Sequence, residues 1–330
     1  MNAAAAAAAI ACDADRKPSG RVGHDVIAIG GSAGAVEALR WLVRDLPADL
    51  PAAVLVAVHR SPDGEGRLAE VLEGAGPLPA VLAEEGQRLE RGRIYVAPPD
   101  RHLLVERHHL HVRRGPRENR ARPAIDPLFR SAAIGCSTRV IGVVLSGMLN
   151  DGSSGLRAIK RCGGLAVVQD PRDAAYPDMP RSALAHVEVD HVAPLAGLAP
   201  LLAKLAAAPS PPPLAAIPEE IRIEALIAAQ ELTVMPDQHS LGPLSPLTCP
   251  ECHGAMAEIH DGDLLRFRCH TGHAFTLETL RLVQEHKVNW LYLVPTMMSR
   301  IWRVPGRETY DMRSLHTIWH MAAPCPPWLK

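Results

Sequence analysis

Short apolar runs alternate with amphipathic segments from Asp25 to about residue 205. The apolar runs are rich in Val and Ile and stop at Gly, Pro, Asp or His, which is typical of buried strands. They are Val26–Ile29, Val54–Val58, Ile94–Ala97, Val140–Leu145 and Leu165–Gln169. Between them lie segments with helical spacing, namely Val36–Arg44, Arg67–Leu72, Pro127–Ile134, Leu156–Cys162 and Ser182–His186. This alternation predicts an α/β fold with a doubly wound, mostly parallel sheet, to which a hairpin over Leu103–Val105 and Leu110–Arg113 is added.

Changes in composition predict five regions along the chain. Residues 1–24 form an Ala-rich leader that we expect to be disordered, and residues 25–205 form the α/β domain. Ala and Pro then dominate, so residues 206–247 are interpreted as a linker with one helix, Glu219–Glu231. The last two regions are a cysteine cluster within residues 248–278 and a segment of different character, residues 279–330.

Bulk composition excludes several classes of protein. A formal net charge of −1 gives no indication of a nucleic-acid partner. No apolar run is long enough to insert into a membrane. The seven cysteines are odd in number and unevenly spaced, so a disulfide framework is not expected. Reduced cysteines favour a cytoplasmic location.

Three residue types that catalyse acyl transfer follow predicted strands. Ser32 lies in Gly30-Gly31-Ser32-Ala33-Gly34, a tight strand-to-helix turn that would project a nucleophile and aim backbone amides at an oxyanion. A phosphate- or dinucleotide-binding turn is the alternative for this segment. His59 follows the second strand, where it is a candidate general base or a capping histidine. Asp151 follows a later strand and either orients the histidine or caps the next helix.

The joint occurrence of these residues resembles the catalytic blocks of chemotaxis protein-glutamate methylesterases. The blocks here are Ile29–Gly34, Val58-His59 and Ser146–Gly152, with further matching segments at Tyr95–Asp100, Arg122–Phe129 and Met179–Ala183. The resemblance implies that Ser32 is the nucleophile, His59 the general base and Asp151 its orienting partner. It also implies an oxyanion site at the backbone amides of Met148 and Ala33. We expect the three side chains to form a hydrogen-bonded chain.

The same resemblance implies the reaction and its partners. The enzyme would hydrolyse glutamyl 5-O-methyl esters on chemoreceptors to glutamate and methanol, deamidate some receptor glutamines, and need no cofactor for catalysis. Its partners would be a methylated chemoreceptor or receptor-like signalling protein and a methyltransferase. Only 24 residues precede Asp25, so we expect a variant without the receiver domain of classical members. The sequence departs from the family at Ala33, Ala35 and Arg60.

Two segments near the candidate site have alternative interpretations. Asp126-Pro127 fits the N-cap and first position of a helix. A basic stretch is either a solvated loop or a surface that guides an acidic receptor helix. Its members are Arg113, Arg114, Arg117, Arg120 and Arg122.

The cysteine cluster is typical of a structural zinc site. Cys249 and Cys252 are separated by two residues, and Cys269 and His273 by three, with a predicted hairpin tip at Asp261-Gly262-Asp263 between the pairs. Four protein ligands would leave no open position for catalysis. His253 and His270 are competing ligands. The module resembles the zinc-ribbon-like tails that follow some receiver-less esterase domains.

The last region, residues 279–330, contains the run Asn289–Met298 and ends in Ala323–Lys330, and it resembles an internal piece of adenylate-forming acyl-CoA synthetases. The segment lacks a Gly-rich phosphate loop and a lid domain, so we expect no ligase activity. We also expect its apolar strand, Trp290–Val294, to lack a partner. The leading hypothesis is therefore an esterase, and the alternative is a non-catalytic regulatory or scaffold protein that uses the same fold and zinc module.

Overall fold

The computed structural model of the chain contains two compact units, Met1–Thr233 and Val234–Lys330. The expected leader, except its last two residues, and most of residues 279–330 lie outside the part of the chain that it describes. The described residues are 23–62, 64, 66–106, 108–214, 216–230, 242–249, 251–252, 254–277, 290–292 and 317–319.

The first unit is built on a sheet of seven parallel strands in the order β3–β4–β2–β1–β7–β8–β9. Its strands are β1 (Val26–Gly31), β2 (Ala53–Val58), β3 (Ala80–Leu82), β4 (Ile94–Val96), β7 (Val140–Val144), β8 (Leu165–Gln169) and β9 (His191–Ala193). A separate antiparallel hairpin consists of β5 (His102–Glu106) and β6 (His109–Arg113). This topology confirms the predicted doubly wound sheet and its added hairpin.

Helices cover both faces of the sheet, so the core forms two apolar layers. The helices are α1 (Ala35–Arg44), α2 (Leu68–Glu73), α3 (Ile125–Cys136), α4 (Ser153–Arg161), α5 (Asp178–His186), α6 (Leu195–Ala207) and α7 (Glu219–Ala229). Side chains of α1, α2 and α6 fill one layer, and side chains of α3, α4, α5 and α7 fill the other. The central strands are buried on both faces, which explains their continuous apolar sequences.

The largest difference from the sequence interpretation is the location of helix α7, which was predicted as a helix within a linker. Its apolar residues Ile221 and Ala225 join the core layer of the first unit, and Ile217 packs beside them. The first unit therefore extends beyond residue 205 and includes the helix that composition alone placed in a linker. The short edge strands β3 and β9 and the helix α6 were also not predicted, although the leucines of α6 recur at helical spacing.

The second unit contains an antiparallel sheet in the order β10–β11–β12–β13. Its strands are β10 (Leu244–Thr248), β11 (Ala255–Asp261), β12 (Leu264–Cys269) and β13 (Ala274–Thr276). Asp261 pairs with Leu264 across a turn in which Gly262 has φ of 65°, which confirms the predicted hairpin tip.

Two further strands of the second unit are described, and they pair with each other in parallel. They are β14 (Trp290–Tyr292) and β15 (Thr317–Trp319). The expectation that the apolar strand of the tail lacks a partner is therefore wrong for its described residues. No helix in the described part of the chain is both long and apolar enough to cross a membrane.

Candidate active site and metal-ligand cluster

The three predicted catalytic residues follow three adjacent strands of the parallel sheet. Ser32 follows β1, His59 follows β2, and Asp151 lies in the loop after β7. Parallel strands end at the same edge of a sheet, so this order brings all three to one crevice. Backbone hydrogen bonds tie the strand ends together: Ser32 N–H donates to the Ser146 carbonyl at 3.0 Å, and His59 N–H donates to the Gly31 carbonyl at 3.2 Å.

The turn that carries Ser32 depends on glycine. Gly34 precedes α1 with φ of 75°, a left-handed conformation that favours glycine. A Cβ on Gly31 would lie 2.5 Å from the Cβ of Ala35, so the strand can enter the helix this tightly only without a side chain there. The Ala35 N–H donates to the Ser32 carbonyl at 3.1 Å and closes the turn.

The shortest hydrogen bond described at the site joins His59 and Asp151. His59 Nε2 lies 2.6 Å from Asp151 Oδ2, and the carboxylate is buried whereas the imidazole is about one-fifth exposed. Burial alone would raise the pKa of Asp151, but hydrogen bonds from His59, the Ile125 amide and Asn119 hold it below its ordinary value. An ionised carboxylate only accepts hydrogen bonds, so Nε2 donates and Nδ1 is left as the acceptor of the neutral ring.

The other half of the expected hydrogen-bonded chain is not formed. Across the described residues, no hydrogen bond joins Ser32 Oγ to His59. Catalytic contacts of this kind are often long in the absence of substrate and tighten when it binds. Gly147 faces Ser32 closely, since a Cβ on that glycine would lie 3.1 Å from the Cβ of Ser32.

The two backbone amides that were predicted to bind an oxyanion have no hydrogen-bond acceptor among the described residues. The hydrogen bonds of the described chain use neither the Ala33 N–H nor the Met148 N–H, whereas the Gly147 N–H donates to the Tyr176 carbonyl at 3.0 Å. Ser146 holds these loops together: its hydroxyl donates to the Ala33 carbonyl at 2.8 Å and accepts from the Tyr176 N–H at 2.9 Å. Sequence reasoning did not single out Ser146 for this role.

Asp126 contacts the start of a helix other than the expected one, and Asp151 contacts the starts of both helices, since its Oδ1 also accepts from the Gly152 N–H before α4 at 3.0 Å. Asp126 Oδ1 accepts hydrogen bonds from the N–H groups of Gly152 and Gly155, at the start of α4. Asp151 accepts from the N–H groups of Ile125 and Asp126, at the start of α3. The N-cap assignment of Asp126-Pro127 is therefore wrong, because Ala124 is the N-cap and both residues lie inside α3.

Asn119 joins the two carboxylates and was missed by the sequence analysis. Its Nδ2 donates to Asp151 Oδ1 at 2.8 Å and lies 3.2 Å from Asp126 Oδ2. The residue has φ of 50° and sits in the arginine-rich stretch that was interpreted as a solvated loop or a guiding surface. Several arginines of that stretch are paired within the unit: Arg113 with Glu85, and Arg114 and Arg122 with Asp100.

In the second unit, the structure brings together the four predicted metal ligands. One ligand atom from each of Cys249, Cys252, Cys269 and His273 lies within 4.8 Å of the others. Cys252 Sγ is 3.5 Å from Cys269 Sγ, and His273 Nδ1 is 3.6 Å from the sulfurs of Cys249 and Cys269. Tetrahedral zinc with bonds of about 2.3 Å to sulfur needs ligand atoms about 3.7 Å apart.

The two competing histidines have different outcomes. His253 lies outside the described residues. His270 is not part of the four-ligand group and packs against Gly254, where an added Cβ would lie 2.0 Å from its ring. The donor set of three thiols and one imidazole fits structural zinc, and it leaves no coordination position open to a substrate.

Comparison with known proteins identifies the family of the first unit. Residues 27–202 match the CheB methylesterase family, which is more than half of the chain. The chain belongs to the CheB methylesterase family. The crystal structure of the Thermotoga maritima CheB methylesterase catalytic domain superposes with a TM-score of 0.53 at 29% sequence identity and covers 55% of this chain and 98% of that domain.

Two sequence relatives match this chain over similar lengths but differ in how much of their own sequence is matched. A Leptospira interrogans protein is 38% identical over 183 residues, which are 55% of this chain and 95% of the relative. This relative is named "Putative protein-glutamate methylesterase/protein-glutamine glutaminase". "Protein-glutamate methylesterase/protein-glutamine glutaminase 1" of Burkholderia pseudomallei is 39% identical over 186 residues, and the match spans 51% of that protein. Helix α7 and the second unit lie beyond the residues matched to the family.

Proposed function

We propose that this protein is a protein-glutamate methylesterase that hydrolyses glutamyl 5-O-methyl esters on a methylated chemoreceptor or receptor-like protein. The observation that carries the proposal is the 2.6 Å contact between His59 and Asp151 beside Ser32, at the crevice of a CheB-family sheet. The names of the relatives support the same chemistry, and they also support deamidation of receptor glutamines.

Acylation begins at Ser32. Its Oγ attacks the ester carbonyl carbon while Nδ1 of His59 takes the hydroxyl proton. The ionised carboxylate of Asp151 stabilises the imidazolium that forms. The N–H groups of Ala33 and Met148 donate to the oxyanion of the tetrahedral intermediate. His59 then returns the proton to the departing methoxide, which leaves as methanol, and the glutamyl group remains esterified to Ser32.

Deacylation repeats these steps with water as the nucleophile. His59 takes a proton from water as its oxygen attacks the acyl carbon, and the same two amides hold the second oxyanion. Collapse breaks the bond to Ser32, which recovers its proton from His59, and releases glutamate. A glutamine side chain follows the same route with ammonia as the first leaving group. No step requires a group other than these residues and water.

Methanol release from a methylated receptor preparation tests the proposed function. Full-length protein should release methanol, and Ser32→Ala should lower turnover by roughly three orders of magnitude while retaining its fold. Ser210→Ala, in the segment after α6, is the matched control and should behave like the wild type. Absence of methanol from the wild-type reaction would instead support the alternative, a scaffold that uses the same fold without catalysis.

We further propose that the second unit holds one zinc ion through Cys249, Cys252, Cys269 and His273. The close approach of the four ligand atoms supports this assignment. When bound, the ion would cross-link the β10–β11 connection to the β12–β13 connection at one end of the sheet, as structural zinc does in small modules that lack a large core. The apolar cluster of this sheet is small, with Leu247, Met256 and Phe267 as its main buried side chains besides the cysteines.

A methyltransferase partner is the final part of the proposal. Hydrolysis of a glutamyl ester is the reverse half of a cycle that a methyl-transferring enzyme must complete, because the substrate ester has to be formed first. The acceptor of that transfer and the substrate of this hydrolase are the same receptor carboxylate. We therefore propose that both enzymes act on one receptor.

A further inference from the structure

Helix α7 packs against the elements that hold Asp151 in place. It contacts α3, whose first amides bind the carboxylate of Asp151. Near its carboxyl end, the Ala228 carbonyl lies so close to Gly115 that an added Cβ would be 2.2 Å from the oxygen. Glu220 at its start pairs with Arg161 of α4. The helix therefore contacts two helices and one loop around the site, although it lies beyond the residues matched to the family.

Buried charges link α7 to the Asn119 turn. Glu224 of α7 is 4% exposed, and its Oε2 lies 3.3 Å from the guanidinium of Arg130 in α3. Arg130 and Glu118 are each 1% exposed, and the arginine also pairs with Glu118. A buried guanidinium between two carboxylates is held firmly, because loss of either partner leaves charge uncompensated in a low-dielectric interior.

Glu118 directly precedes Asn119, which binds Asp151. The ion pairs of Arg130 with Glu224 and Glu118 therefore help to hold Asn119 in place. Glu118 and Ala121 exchange backbone hydrogen bonds at 2.9 and 3.3 Å, which closes a tight turn around Asn119 and Arg120. Both residues in the turn have positive φ, 50° and 62°, a conformation that needs support from its surroundings. Within this turn, Asn119 Nδ2 reaches Asp151 Oδ1 at 2.8 Å.

We propose that Glu224 is a positioning residue for the Asp151–His59 pair and acts through Arg130, Glu118 and Asn119. This inference rests on the proposed function, since it concerns the same site. Loss of the Glu224 carboxylate would loosen the Asn119 turn and weaken one of the three contacts of Asp151 Oδ1, which also accepts from the N–H groups of Asp126 and Gly152. The backbone amides alone would hold the carboxylate less firmly, and His59 would lose part of its fixed orientation. Helix α7 is thus a functional part of the esterase unit.

The test uses full-length protein with two readouts that do not depend on a receptor. One is turnover of an activated ester such as p-nitrophenyl acetate, and the other is the rate at which a fluorophosphonate labels Ser32. Glu224→Gln should lower both kcat and the labelling rate by about tenfold with little change in KM. Glu224→Asp, which keeps the charge, should recover part of the loss. Glu219→Gln, on the exposed face of the same helix, is the control and should match the wild type.

A double-mutant cycle separates positioning from general destabilisation. If Glu224 acts through Asn119, Glu224→Gln should have no further effect on kcat in an Asn119→Ala background. Multiplied effects in the double variant, or a lower melting temperature at unchanged kcat, would overturn the proposal. A wild-type protein that is not labelled would reject the hydrolase function itself and the positioning role with it.

Discussion

Asp126 and Asp151 exchange partners at the starts of two helices. Asp126 lies in α3 and accepts from backbone amides at the start of α4, whereas Asp151 precedes α4 and accepts from the first amides of α3. A free helix start presents amides without partners and a partial positive charge, and a carboxylate satisfies both. The exchange locks α3 and α4 together at the edge of the sheet where the candidate catalytic residues meet. The geometry of Asp151 is therefore fixed largely by the backbone.

Replacing Asp126 should weaken both the fold and the site. Asp126→Ala leaves the buried amide of Gly155 without its acceptor and removes one of the two acceptors of the Gly152 amide, so we expect a loss of about 1–3 kcal/mol in the free energy of unfolding. Hydrogen exchange of the α3 and α4 amides measures the change locally. Asp178→Ala, in the first turn of the less buried α5, is a suitable control. Unchanged protection of the α4 amides in Asp126→Ala would contradict the role assigned to this carboxylate.

The low pKa of Asp151 predicts how its contribution to stability depends on pH. In the fold the pKa is lowered to about 2, so the stabilisation is fully present above the ordinary value near 4 and is lost as pH falls through the folded value. The difference in unfolding free energy between wild type and Asp151→Asn should therefore shrink as pH falls from about 4 to about 2. Urea unfolding at a series of pH values measures it. A difference that stays constant over this range would be inconsistent with an ionised Asp151.

Ser146 should support catalysis by holding the nucleophile turn. Its hydroxyl binds the Ala33 carbonyl and the Tyr176 amide, so Ser146→Ala should loosen Ser32 and the adjacent oxyanion amides and lower kcat by about tenfold. Steady-state kinetics with an activated ester measures the change. Ser137→Ala is the matched control, because that buried hydroxyl also donates to a carbonyl but lies before β7, at the opposite edge of the sheet. Equal kinetics for the two variants would argue against a role for Ser146.

The zinc assignment predicts a stoichiometry and a local effect of its loss. Protein purified without chelator should contain about one zinc per chain, and Cys252→Ser should release it and increase hydrogen exchange over β10–β13. Cys162→Ser is the control, since this buried cysteine of the first unit is free and remote in sequence from the cluster. Metal analysis that finds no zinc in the wild-type protein would refute the site.

Sequence patterns predicted the parallel sheet well because its central strands are buried on both faces. Ala53–Val58 and Val140–Val144 are continuous apolar runs, and each is followed by residues that the fold brings to one edge. The carboxyl ends of parallel strands lie along the same side of a sheet, regardless of the conformation of the loops that follow them. Ser32, His59 and Asp151 were therefore expected to meet before any contact between them was known.

Contacts between remote elements were not predictable in the same way. Asp126 was expected to cap its own helix, because the local pattern around Asp126-Pro127 cannot reveal an acceptor role toward α4. Asn119 lies among arginines that resemble a solvated loop, and its role depends on a turn with positive φ. Glu224 follows a Pro-rich stretch, and only packing shows that its carboxylate is buried.

The burial of Glu224 also determines where this chain can be truncated without disturbing the esterase unit. A recombinant catalytic fragment that ended with the family match at residue 202 would omit α7 and remove one of the two carboxylates that neutralise Arg130. The fragment would also uncover apolar surface beneath Ile221 and Ala225. Chimeric esterases and crystallisation fragments built from this protein should therefore place their junction after residue 230, where α7 has ended.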